Sequence, residues 1–146
     1  MEKKKDKGDF VSFKRQGRIL SFQAIYSYFL NPINLDDLIL FSWNKTIPPN
    51  VYKFAKKLTK MTIEREEEIV KILEKVMKDP LYSQISEIEK SILHISVCQL
   101  LYFKNISSSI VIDEAIELAK TYATANSYRM INAVLDAVKK DLINSQ

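Results

Sequence analysis

Cysteine is all but missing from this sequence. Cys98 is the single thiol in 146 residues, so no intrachain disulfide can form, and the chain suits a reducing compartment. Cys98 lies in an apolar run and reads as a small core side chain. Glycine and proline are scarce as well, two (Gly8, Gly17) and four (Pro32, Pro48, Pro49, Pro80). All-β domains need far more turn residues, so this shortage points to helices. There is one histidine, His94, with no cysteine cluster beside it to share a metal; it reads as a core or interface residue. Glycine-rich phosphate loops, nucleophile elbows and metal-ligand spacings are absent, so neither an enzyme nor a cofactor is expected. No stretch reaches the ~18 to 20 uninterrupted apolar residues of a membrane helix, and no signal-peptide core opens the chain. A soluble cytoplasmic protein is the expectation.

The chain does have the length of one domain and an apolar fraction of 47%, enough for a continuous core. Its net charge of +4 is localised. Residues 1–18 carry seven cations (Lys3, Lys4, Lys5, Lys7, Lys14, Arg15, Arg18) against three acids, and the remainder is balanced. A basic arm of this kind is the footprint of a polyanion binder, although a lysine run serves equally as a solubilising tail. The acidic pair Asp113-Glu114 and the run Glu66 to Glu68 read as solvated helix faces rather than acid/base catalysts.

Residues 1–13 are charged and aperiodic and read as a flexible arm; 14–146 form one domain. A first helix is expected from near Lys14 to Asn31-Pro32, burying a stripe of Ile19, Phe22, Tyr26 and Phe29. Asn34 caps a short helix through Trp43. Pro48-Pro49 opens a helical stretch over about 50–78, and the polar segment 62–68 allows either a continuous helix or a break. Ser86 and Glu89 form a capping-box pattern. The run that follows is apolar on nearly every side, as a central helix should be. Helices over about 110–123 and from Asn126 or Ser127 onward complete the chain. Six or seven helices and no strand make an all-α domain.

Three ordered segments, "EKSILHISVCQLLY", "VIDEAIELAKTYA" and "SYRMINAVLD", together with "SFQAIY" near the start, resemble the NusB family of bacterial transcription antitermination factors. The resemblance covers residues 14 to about 142, loosely over 31–80. It implies a compact bundle of two packed three-helix units. It also implies binding of the single-stranded boxA sequence of ribosomal RNA leaders together with NusE, a small ribosomal protein, in an antitermination complex with RNA polymerase. Some members form homodimers. On this resemblance Lys14, Arg15 and Arg18 occupy the family's arginine-rich segment, and Gln23, Tyr26 and Met130 its RNA side. Glu89 stands at the RNA and partner surface. Gln23 and Tyr26, read without the resemblance, are ordinary helix surface and core rim. His94 and Gln99 replace the family's usual arginine and glutamate, and Ala133 its glycine. Two other readings remain open: the RNA-binding part of a ribosomal RNA methyltransferase, and a purely protein-binding helical module.

Overall fold

The computed structural model describes residues 2–78 and 80–145, with side chains from Phe13 onward. Eight α-helices and no strand occur among the described residues. They are α1 (Glu2–Leu30), α2 (Leu35–Leu38), α3 (Pro49–Glu64), α4 (Glu66–Met77), α5 (Leu81–Gln84), α6 (Glu87–Tyr102), α7 (Ser108–Tyr122) and α8 (Ser127–Asn144). Six are long and two are single turns, which is the all-α bundle expected.

The other long helices pack round α6, and sequence explains why. Ten consecutive residues, Ser91 to Leu100, are buried, so every face of the helix meets a neighbour. Fully burying one Ile or Leu side chain is worth roughly 1.5 to 3 kcal/mol, which makes α6 the axis of the larger core. Ile92, Leu93, Ile95 and Val97 meet Ile69 and Leu73 of α4, Ala115 and Leu118 of α7, and Ile131, Leu135 and Val138 of α8 in one cluster. His94 is fully buried among them. Its Nε2 lies 2.7 Å from the Tyr82 hydroxyl, and its ring stands edge-on to Phe29. Burial, followed by the charge of Lys90, pushes its pKa down to about 3. Burial likewise pushes the Cys98 thiol up to about 11, so both residues are core groups.

A smaller cluster joins Leu20 and Ala24 of α1, Leu38, Phe41, and Val51 and Ala55 of α3. Because Phe22 and Ile25 of α1 belong to the larger cluster, α1 is buried on two faces. The single stripe expected for it is therefore incomplete. Ile19, Tyr26 and Phe29 are only half-buried, while Leu20, Ser21, Ala24 and Ile25 are buried. In the α1–α3 seam the Thr59 hydroxyl donates to Ser21 Oγ at 3.0 Å, which satisfies two buried polar groups. Gly17 lets α3 come close: a Cβ there would sit 2.6 Å from the Phe54 ring.

Two boundaries differ from expectation, and a third, left open by the sequence, is decided. The backbone of α1 is helical from Glu2 rather than Lys14; lysine and glutamate are good helix formers, and no proline intervenes before Pro32. The side chains of 1–12, including Lys3, Lys4, Lys5 and Lys7, lie outside the described residues. Asn34 caps α2 as expected, accepting from Asp36 N at 2.8 Å, but α2 stops at Leu38 instead of reaching Trp43. Phe41 takes a left-handed φ of 50°, a conformation that costs about 1 to 2 kcal/mol. Its ring is thereby fully buried, edge-on to Trp43 and Tyr52. The polar segment 62–68 breaks at Arg65 (φ −106°, ψ 19°). The break places Glu66, Glu67 and Glu68 in the first turn of α4, where the helix dipole favours negative charge.

Candidate nucleic-acid interface

The basic segment of α1 does not present its three cations alike. Arg15 is exposed and donates from Nε and Nη2 to the two carboxylate oxygens of Glu114 on α7, at 3.1 and 3.0 Å. This bidentate pair raises the pKa of Arg15 through the hydrogen bond and the charge of Glu114. Glu114 is therefore no solvated face residue; its side chain is 12% exposed and tied to α1. Lys14 is half-buried and lines a cavity beside the start of α7. Arg18 departs from its expected place on the surface. It is 3% exposed, donates from Nε to Gln99 Oε1 of α6 at 2.8 Å, and lies 5.5 Å from the Phe54 ring centroid. Desolvation lowers its pKa, yet a guanidinium stays charged in proteins. One helical turn beyond Lys14, the α1 surface already faces α3 and α6, so Arg18 cannot meet a phosphate without moving.

Further along α1, Gln23 accepts from the indole N–H of Trp43 at 3.1 Å. Tyr26 is half-buried and stacks on Phe22 with ring centroids 6.4 Å apart and planes inclined by 24°. Phe22 in turn lies 5.0 Å from the ring of Tyr122 on α7. Tyr122 is exposed and shares a cavity wall with Arg15, so the α1–α7 seam offers one accessible aromatic ring beside that cation. Nearby in sequence, Lys120 and Arg129 both lie over the Tyr128 ring, at 5.0 and 5.7 Å. Sequence reasoning passed over Tyr122 and Tyr128. Tyr122 falls on the apolar spacing of α7 and reads as core. The Tyr-Arg pair at 128–129 was the available signal.

Glu89 and Met130 are brought together. Both line a cavity of about 400 Å³ with Met77, Leu81, Ile85 and Val134. Glu89 completes the capping box of α6: Ser86 N donates to its Oε1 at 2.9 Å, and its own N–H donates to Ser86 Oγ at 3.1 Å. Its Oε2 accepts from the Ser127 hydroxyl at 2.8 Å, which ties the start of α8 to the start of α6. Burial pushes this carboxyl up, but the hydrogen bonds from Ser86 and Ser127 outweigh it and hold the pKa below the usual carboxylate range. A depressed folded pKa stabilises above the unfolded value and ceases to do so as pH falls through the folded one. Glu89 is thus committed to structure before it meets any partner. Glu89→Ala should cost about 1 to 2 kcal/mol at neutral pH, measured by urea unfolding. An unchanged midpoint would show that the box and the Ser127 bond contribute nothing.

Cations beside open aromatic rings on a rigid helical frame define a binding scaffold. The NusB family model matches residues 15–140. The transcription antitermination protein NusB of Treponema denticola is 41% identical over 129 residues, covering 86% of this chain and 95% of that protein. Among solved structures, T. maritima NusB superposes with a TM-score of 0.81 at 25% identity, covering 88% of this chain and 91% of that one. The fold also matches a complex of the antitermination factors NusB and NusE with double-stranded RNA, with a TM-score of 0.77 at 24% identity over 89% of this chain and 98% of that one. The chain belongs to the NusB family.

Proposed function

We propose that this protein is a transcription antitermination factor that acts by binding rather than catalysis, in the cytoplasm. It holds boxA-type single-stranded RNA jointly with NusE, as part of an antitermination complex with RNA polymerase. The observation that carries this reading is the pairing of cations with accessible rings, Arg15 beside Tyr122 in one cavity wall, and Lys120 and Arg129 on Tyr128. Such pairs supply phosphate attraction and base stacking together, which is what single strands require. Membership of the NusB family supplies the choice of RNA and partner, and a solved NusB–NusE complex with double-stranded RNA shares this fold. The absence of any helix long and apolar enough to cross a membrane, among the described residues, agrees with it.

Among the α1 cations whose side chains are described, Lys14 and Arg15 meet the phosphates, Arg15 by exchanging Glu114 for the RNA. Each phosphate neutralised by a protein cation contributes about −0.7 to the log–log salt slope of single-strand binding. Lys14→Ala with Arg15→Ala should therefore flatten that slope by about 1.4, read by fluorescence anisotropy of labelled boxA RNA across a salt series. A slope identical to that of the unaltered protein would remove α1 from the interface. In parallel, mixing with NusE on a sizing column should yield one species of summed mass. Separate elution at micromolar concentrations would overturn the shared-partner reading.

A further inference from the structure

Exposed lysines of α4 and α8 each meet an acid. Lys71 pairs with Glu67 and Lys140 with Asp136, both at i,i+4, and Lys75 reaches Asp141 between the two helices at 2.8 Å. The outer face of α3 is built differently. Lys53, Lys56, Lys57 and Lys60 are all exposed, and none forms an ion pair among the described residues. At 3.6 residues per turn the four fall within about 100° of the helix circumference. Val51, Ala55, Leu58, Thr59 and Thr62 take the buried side. The one acid of α3 is Glu64, its last residue.

This spacing is unfavourable by itself. Lys53 stands three and four residues before Lys56 and Lys57, and Lys60 stands four and three after them. Like charges at those spacings repel along the face. Two of the ammonium groups are held by rings: Lys56 lies 6.0 Å from the Tyr52 centroid, and Lys57 lies 5.1 Å from that of Phe103 at the end of α6. A solvent-facing surface of one sign that repels itself is relieved when a polyanion covers it.

The make-up of the face selects the polyanion. Lysine is depleted in protein–protein interfaces. A helix lying in a membrane surface inserts large apolar side chains, and none of the exposed large hydrophobic residues belongs to α3. A phosphodiester backbone asks only for positive charge at repeated intervals. From Lys53 to Lys60 the helix rises about 10.5 Å, which matches about three phosphates at 3.4 Å per nucleotide. The face is also distinct from the seam described above: α1 meets α7 through Arg15, and α3 through Gly17 and Leu20.

We infer that the outer face of α3 is a second RNA-backbone contact, taking phosphates of nucleotides that flank the element held at the α1–α7 seam. The inference rests on the RNA-binding reading for its polymer, and it is indifferent to base sequence.

The test uses the whole protein with Lys53→Glu and Lys56→Glu together. These changes put glutamate four residues before Lys57 and Lys60, the favourable order for helix pairs. The variant should therefore resist urea at least as well as the parent. Two labelled strands, boxA alone and boxA extended at both ends, are titrated across a salt series by fluorescence anisotropy. For the parent, the long strand should give a log–log slope steeper by about 1.4 or more, two contacts at about 0.7 each. The variant should bind the short strand as the parent does and lose the added slope on the long one. Lys71→Glu with Lys140→Glu makes the same change of net charge on α4 and α8. It should leave both strands unaffected, because exposed charges beyond about 8 Å are screened at physiological salt. Equal slopes for the two strands in the parent overturn the inference. So does an unchanged long-strand slope in the folded variant, which would leave the lysines to an acidic protein. A loss equal on both strands, or equal in the Lys71 and Lys140 control, overturns it as well, since the effect is then one of net charge. Failure of the antitermination reading shows differently, as equal binding of boxA and its scrambled sequence by the parent.

Discussion

Acidification from pH 7 to about 4.5 should remove about 2 to 3 kcal/mol of stability through one side chain, His94. The folded protein keeps this imidazole neutral, because burial and then Lys90 push its pKa down to about 3. The unfolded chain binds a proton at an ordinary pKa near 6.5. Between those two values the unfolded state holds one more proton than the folded state, so stability rises with pH and falls as protons are added. The effect is absent above the unfolded value and saturates below the folded one. It precedes the loss that Glu89 brings, which begins only in the carboxylate range. Urea unfolding at a series of pH values should show the slope in the parent and not in His94→Gln, whose side chain is neutral throughout. A parent curve flat from pH 7 to 5 would mean that the ring reaches water or gains a charge-stabilising partner.

Ile25→Ala should cost about 3 kcal/mol, within the 2 to 5 typical of a buried aliphatic truncation. It should lower the melting temperature by roughly 10 °C for a chain of this size. Ile25 is fully buried in the larger cluster, next in sequence to Ala24 of the smaller one. Since one helix walls both cores, a cavity on one face loosens the support of the other. Thermal unfolding followed by near-ultraviolet signals from Trp43 in the small unit, and by overall helicity, should move together. If helicity falls first while the Trp43 signal holds, the two cores are independent and α1 does not couple them.

Caps and composition made much of this fold legible. Asn34 and the Ser86–Glu89 box stand where their side-chain chemistry requires, and the all-round apolar character of 91–100 placed α6 at the centre. What escaped was tertiary. A helix buried on two sides shows almost no net apolar face, so the stripe read on α1 was partial. Arg18 sits in a run of cations that looks uniformly like surface, and only the angle it makes with Ser21 and Ile25, three and seven residues on, hints that it turns inward. The capping box and the partner surface both claim Glu89 in the sequence, and its hydrogen-bond partners Ser86 and Ser127 are 3 and 38 residues away. The first was readable from spacing; the second required the fold. Arg65 became a break because ending one helix gave three glutamates a favourable start to the next, a choice that periodicity alone leaves open.

The bond from Arg18 to Gln99 also has a consequence for biosynthesis. Its partners stand 81 residues apart, so α1 leaves the ribosome long before the helix that covers its inner face has been made. At about 5 to 20 residues per second, the delay is roughly 4 to 16 seconds. Throughout that interval Phe22 and Ile25 have no α6 to pack against, and the nascent chain carries them exposed. The cations that precede them keep the emerging segment charged and hydrated while it waits.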